Sequence, residues 1–203
     1  MKKIYYTCVT NKYDTINIPT PQEGWEYILF TDQDINLPIW NIKKIENRDK
    51  IYREIKCRPH IYLPPHDISV WVGGCIEYTG HLDDLINISK DFCLMTHNNR
   101  TNLWQEVEAC IRLKKDDPDV IIKQTERYRV EKYDGNGLYA TGLIIRRNTA
   151  PIATFGDEWW NEIKNNSKRD QLSFGYVAWK QKLDFDTLPF LYNCKVRTHE
   201  IRS

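Results

Sequence analysis

The chain is expected to fold as an α/β, Rossmann-like single domain whose central sheet is mixed but mostly parallel and flanked by helices. Three observations predict this. Short β-rich runs alternate with helical segments through the first half, the pattern that builds parallel sheets with crossover helices. The apolar run Ile68–Val72 leads straight into two glycines, Gly73 and Gly74, as a buried strand does at its ligand-facing carboxyl end. The length, 203 residues, suits one domain with a real core, and the chain carries no internal repeat, heptad array or low-complexity segment.

The elements follow in order. Lys3–Thr10 is a β-rich run that breaks into the polar loop Thr10-Asn11-Lys12-Tyr13-Asp14. Pro19, Pro21 and Gly24 mark a connection. Glu26–Thr31 is a second strand, again ending in polar residues, Thr31-Asp32-Gln33-Asp34, and Ile39–Ile45 is a shorter third. Asp49–Tyr62 has Ile51, Tyr52, Ile55 and Ile61 near helical spacing, with Pro59 placed to end or kink it. After the strand Ile68–Val72 come a short helix at Leu82–Ser89 and a strand at Phe92–Met95. Leu103–Lys115 carries Val107, Cys110 and Ile111 on one side, and Val120–Val130 continues helical after Pro118. Leu138–Arg146 is β-rich, Pro151–Lys164 and Asp170–Gln181 read as helices, and Phe190–Ile201 supplies a last strand and tail.

Composition narrows the function classes. Twenty-nine basic and 28 acidic residues leave a formal charge of +1, so no long-range field advertises nucleic acid or an acidic membrane. Seven Trp and twelve Tyr are mostly packing residues, yet some should line a groove where flat sugar or base faces stack. Six cysteines, at 8, 57, 75, 93, 110 and 194, form no C-x-x-C pair, which argues against a zinc knuckle. Met-Lys-Lys-Ile-Tyr-Tyr runs directly into a strand without a secretory signal, so reduced, mostly buried thiols and a cytoplasmic location are expected. No apolar run approaches the length of a membrane span.

Candidate ligand-binding residues gather at strand ends and helix faces. If the first two strands are parallel neighbours, Thr7, Thr10, Asn11, Tyr13 and Asp14 share a crevice with Thr31 and Asp32, where they could hold a base and ribose; turn chemistry explains the same residues equally well. Arg53 and Lys56, three apart on one helix face, could clamp a diphosphate or simply face solvent. His97-Asn98-Asn99-Arg100 follows a strand and can face the same crevice. Asp83-Asp84, Asp116-Asp117 and Asp119 read as surface or capping residues. Asp170 falls at a helix start, where a cap would account for it; with Arg169, Gln171 and the Trp159-Trp160 pair it also makes a sugar-binding edge, Trp160 giving an apolar face.

In order and spacing these pieces resemble the glycosyltransferase-like proteins of the TOD1/MUCI70 type, with a GT-A fold. The similar segments are Tyr6-Thr7…Tyr13-Asp14, Phe30-Thr31-Asp32, Arg53…Lys56…Pro59-His60 and Ser69-Val-Trp-Val-Gly-Gly; then His97, Glu106, Gly142-Leu-Ile-Ile-Arg146-Arg-Asn-Thr149, Trp159-Trp160 and Arg169-Asp170-Gln171-Leu-Ser-Phe174. The resemblance implies a glycosyltransferase that moves a sugar from a nucleotide-diphosphate sugar, a UDP-sugar first of all, to a glycan or other hydroxyl acceptor. It implies a nucleotide-binding half at about residues 1–80 and an acceptor half at about 81–203. Thr7, Thr10, Asn11, Asp14 and Asp32 would face the nucleoside, and Arg53 and Lys56 the diphosphate. Arg169, Asp170, Gln171 and Trp160 would serve sugar or acceptor, Asp170 and His97 are the candidate catalytic bases, and His199 resembles the late histidine that helps hold a metal.

The departure is at Gly73, where related proteins tend to read Trp-Ile/Val-Asp-Gly and the aspartate would bind Mn²⁺ or Mg²⁺. Another carboxylate could take the ion, basic residues could neutralise the leaving diphosphate without metal, or activity could be lost. Two other readings stand beside transfer: a non-catalytic nucleotide- or sugar-binding module, and a phage-type transferase acting on hydroxylated DNA bases. The near-neutral charge disfavours the second.

Overall fold

A computed structural model describes residues 1–196. Seven strands form one sheet: β1 (Lys3–Val9), β2 (Trp25–Thr31), β3 (Asn41–Lys44), β4 (Ile68–Val72), β6 (Phe92–Thr96), β7 (Tyr139–Arg147) and β8 (Asp186–Leu188). A second sheet pairs β5 (Ile76–Tyr78) with β9 (Cys194–Val196). The order of the large sheet is β3-β2-β1-β4-β7-β6-β8, and β7 alone runs antiparallel to its neighbours. The strand order reverses between β1 and β4. In open parallel sheets, ligands bind outside the carboxyl ends of the strands at such a point. Here those ends are Thr10 and Gly73.

Alternation along the strands sorts their side chains onto two faces. One face carries Ile4, Tyr6, Trp71, Phe92, Leu94 and Ile144 and is covered by helices α1 (Ile51–Cys57), α6 (Ala150–Asn165) and α7 (Asp170–Gln181). The other carries Tyr5, Trp25, Leu29, Val70, Val72 and Ile145 and is covered by Trp40, Tyr78 and the short helix α3 (Leu82–Leu85).

Local chemistry adjusts the expected boundaries. The helix expected over Asp49–Tyr62 divides into α1 and α2 (Pro59–Tyr62), because Arg58 has non-helical dihedrals just before a proline. The Lys50 ammonium is spent on packing: it donates to the carbonyls of Ile163 and Asn166 at the end of α6, both at 2.9 Å. The helix expected at Leu82–Ser89 is a single turn. Helix α4 covers Leu103–Arg112, and α5 begins at Pro118 itself, capped by the Asp117 carboxylate accepting from Asp119 N–H. Strands β5 and β8, three residues each, were not expected from the sequence. Of the segment expected as Phe190–Ile201, β9 is the described strand, and His199 lies outside the described residues. All six cysteines are free thiols and four are buried.

Candidate functional site

The site is built where α1 and α7 meet above the ends of β1 and β4. Lys56, on the last turn of α1, forms an ion pair with Asp170, the first residue of α7, and both are nearly inaccessible. The Lys56 ammonium also lies 3.4 Å from Thr141 Oγ1 and 5.5 Å from the centre of the Trp71 ring. Thr141 reaches it because β7 carries an irregularity: Leu94 pairs with Ile144 but Met95 pairs with Ala140. The shift in register marks a bulge, a device that re-aims side chains beside a site.

Asp170 is surrounded by cations. Burial alone would raise its carboxyl; Lys56, Arg53 and Arg169 more than offset this and hold it at about 2. Its expected role as a helix cap is therefore replaced. Arg169 occupies the cap position, no side chain caps the helix, and the Asp170 carboxylate turns to Lys56. The Asp170 backbone is held separately. The Trp159 indole donates to Ser173 Oγ at 3.2 Å and to the Asp170 carbonyl at 3.4 Å, and Asp116 accepts from Ser167 Oγ and Lys168 N–H, both at 2.7 Å.

A second layer continues from Arg169. Its guanidinium donates to Gln171 Oε1 at 3.0 Å and lies 3.6 Å from Glu106. Glu106 is 1% exposed and accepts from Arg100 Nε at 2.5 Å. Gln171 Nε2 donates to the Tyr139 carbonyl at 3.3 Å. Arg53 stacks over the Tyr52 ring at 4.1 Å, and its buried Nε has no hydrogen-bond partner; the same holds for Arg169 Nε.

His97 is less suited to proton transfer than the sequence suggests. Nδ1 faces the backbone N–H groups of Asn99 and Arg100, each at 3.2 Å, and Nε2 lies 3.1 Å from Arg100 Nη2. Burial, and then Arg100, lower its pKa, so the ring is kept neutral among donors.

The nucleoside candidates divide. The expected parallel pairing of β1 and β2 brings their tips together, and Asn11 N–H donates to both Asp32 carboxylate oxygens, at 2.9 and 3.1 Å. Thr10 starts the turn, its carbonyl accepting from Tyr13 N–H at 3.0 Å, while Asn11 and Lys12 have positive φ. Asp14 reaches Gly74, where an added Cβ would fall 2.8 Å from its Oδ2. Thr7 is not in this group. It points to the sheet face opposite Lys56, into a small cavity lined by Asn17, Trp40 and Gly73, and its buried hydroxyl has no partner. Trp160 is 8% exposed among the core side chains of α6.

The model of the TOD1/MUCI70, glycosyltransferase-like domain family matches residues 30–201. The chain belongs to the TOD1/MUCI70 glycosyltransferase-like family. The mixed, mostly parallel sheet with flanking helices is the GT-A-like architecture expected of such a domain. No curated protein matches the chain.

The end of β4 is where the sequence leads one to expect a metal-holding carboxylate. After Val72 the chain turns, with Ile76 N–H donating to the Gly73 carbonyl at 2.8 Å. Gly73 and Gly74 supply no side-chain oxygen, and Glu77 has left the strand to pair in β5. Among the described residues, no group of three or more His, Cys, Asp or Glu side chains could hold an ion. The Asp14 carboxylate reaches Gly74, but one carboxylate does not make up the several oxygen ligands that a hard divalent cation needs, so the donors at this strand end do not fit such an ion.

Sequence reasoning gave Glu106 and Thr141 no chemical role, placed Arg100 only in a loop that can face the crevice, and put Trp159 on a sugar-binding edge rather than behind the Asp170 backbone. Glu106 had left a signal: it lies three residues after Leu103 and four before Cys110, a charged residue on the buried stripe of α4. Thr141 had none, because its position depends on the bulge.

Proposed function

We propose that this domain transfers a sugar from a nucleotide-diphosphate sugar, a UDP-sugar in the first instance, to a hydroxyl of a glycan or other acceptor. The observation that carries this reading is the meeting of Lys56 with Asp170 beside Arg53, Arg169 and Gln171, at the point where the strand order reverses. Cations there suit a diphosphate, and a carboxylate and an amide beside them suit sugar hydroxyls. In transfer, the bond from the anomeric carbon to the β-phosphate oxygen breaks and its electron pair stays on the phosphate. The acceptor oxygen bonds to that carbon, and its proton passes to the phosphate oxygen that leaves. Stabilising the departing negative charge is the task for Lys56 and its neighbours.

Asp170 serves this reaction as a holder of hydroxyls rather than as its base, since a carboxylate held at about 2 takes up protons weakly. The nucleotide half, about residues 1–80, would use the Thr10–Asp14 loop and Asp32; the rest of the chain would supply the sugar and acceptor contacts. A cytoplasmic location belongs to the same proposal and is supported by the free thiols. No helix among the described residues is long and apolar enough to cross a membrane.

Gly73 and the depressed basicity of both Asp170 and His97 favour one second reading, a module that binds nucleotide sugars without turnover. Isothermal titration with UDP, GDP, ADP and CDP in Mn²⁺ tests the common premise. Binding of one of them is expected, and absence of binding by all four would remove both readings.

A further inference from the structure

We infer that the site engages the diphosphate through an arginine–lysine clamp of Arg53, Lys56 and Arg169, with no divalent ion required. This rests on the nucleotide-sugar reading above and specifies how that site meets its ligand.

The first support is a charge excess. The cluster joins four cations, Arg53, Lys56, Arg100 and Arg169, to two carboxylates, Asp170 and Glu106. Including Asp14, at the edge of the cluster beside Gly74, still leaves cations in the majority. The buried members balance, Arg53 and Lys56 against Asp170 and Glu106, and the excess sits on the partly exposed Arg100 and Arg169, where an incoming anion can complete the cluster. The excess is two charges, or one with Asp14 counted, and a diphosphate supplies at least that much negative charge.

The second support is independent of charge counting. Arg53 is 8% exposed, and its Nε finds no acceptor; Arg169 Nε is also buried without an oxygen acceptor, the Cys110 thiol being a weak partner of that guanidinium. Buried donors are nearly always satisfied, and charged ones left bare are the most unfavourable. Two such donors flank Asp170, which at present is the anion shared by Lys56, Arg53 and Arg169. Planar guanidinium groups match phosphate oxygens in pairs. Arg169 is aimed by a buried partner: Glu106 holds both it and Arg100, so Glu106 is a positioning residue for the clamp.

The third support is the donor set at β4. A Cβ built on Gly73 meets nothing closer than the Gly142 carbonyl at 3.6 Å. There is room for a side chain where an ion-binding carboxylate would stand, and glycine occupies it. On this account the positive charge that an ion would bring is already fixed in the protein.

The test is UDP titration of protein dialysed against EDTA, repeated with Mn²⁺, with GDP, ADP and CDP run alongside. The clamp predicts that the nucleoside diphosphate that binds does so in EDTA, with Mn²⁺ changing its affinity less than about twofold. It also predicts that Arg53→Met and Arg169→Met, checked as folded by near-UV circular dichroism, each weaken binding about tenfold or more, as loss of a charged hydrogen bond should. Binding seen only with Mn²⁺, or tightened more than about twofold by it, would overturn the clamp and leave the nucleotide-sugar reading standing. Binding by none of the four diphosphates in either condition would overturn that reading itself. The wild-type comparison decides between these outcomes even if neither variant folds.

Discussion

Lys56 and Asp170 are 114 residues apart in the chain and form a buried ion pair across the junction of α1 and α7. The pair joins the segment expected to meet a diphosphate to the segment expected to meet a sugar. Each partner is nearly inaccessible, so neither charge can be deleted without exposing the other to a poor environment.

Asp170→Asn is therefore expected to lower stability by about 3–5 kcal/mol, because it leaves Lys56, Arg53 and Arg169 without their shared anion. Urea denaturation measures the loss. The double variant Lys56→Met/Asp170→Leu should recover part of it, since both charges are then gone. A double variant no more stable than Asp170→Asn would mean that the pair is not the relevant unit.

The same pair predicts acid sensitivity. Asp170 is held at about 2 against an ordinary value of 3.8, so the folded state binds its proton less readily than the unfolded chain. Its contribution is fully present above about pH 4 and is lost as the pH falls towards 2, amounting to about 2 kcal/mol. Stability curves between pH 5 and 2 should lose that component in Asp170→Asn. Identical slopes in the two proteins would contradict the assignment.

The two glycines should respond differently to substitution. Gly73→Asp is expected to fold near wild-type stability, since its new Cβ makes only ordinary contacts, and to make nucleoside diphosphate affinity respond to Mn²⁺. Gly74→Ala should cost about 1–3 kcal/mol, because its Cβ would lie 2.8 Å from Asp14 Oδ2 and 3.0 Å from Val9 Cγ2. Thermal melts with and without Mn²⁺ separate these effects.

Trp160→Ala should behave as a core truncation, losing about 3–5 kcal/mol. Ligand affinity measured on the fraction that remains folded should change little. A large loss of sugar affinity with unchanged stability would return Trp160 to the sugar-binding edge.

Much of the fold was legible because the local signals were strong. Pro59 broke a helix where a proline must, and Asp170–Gln181 formed the helix its pattern predicts. β5 and β8 were missed because three-residue strands are defined by their partners, β9 and β6, rather than by their own sequence. In the site, Arg53, Lys56, Arg169, Asp170 and Gln171 were readable as charged or amide groups near element ends. The side chains that position them were not. Glu106 and Thr141 act through contacts set by helix packing and a strand bulge, which no local pattern records. Thr7 and Trp160 show the converse: residue type suggests ligand contact, while strand parity turns Thr7 towards Trp40 and core packing buries Trp160.

The most direct measurement is release of UDP from a panel of UDP-sugars by the wild-type protein and by Asp170→Asn, assayed at a temperature where both are folded. Release by the wild type with at least one donor, reduced at least about tenfold in Asp170→Asn, is the predicted result. No release from any nucleotide sugar, or release that Asp170→Asn leaves unchanged, would contradict the assignment of sugar transfer to the site built around Lys56 and Asp170.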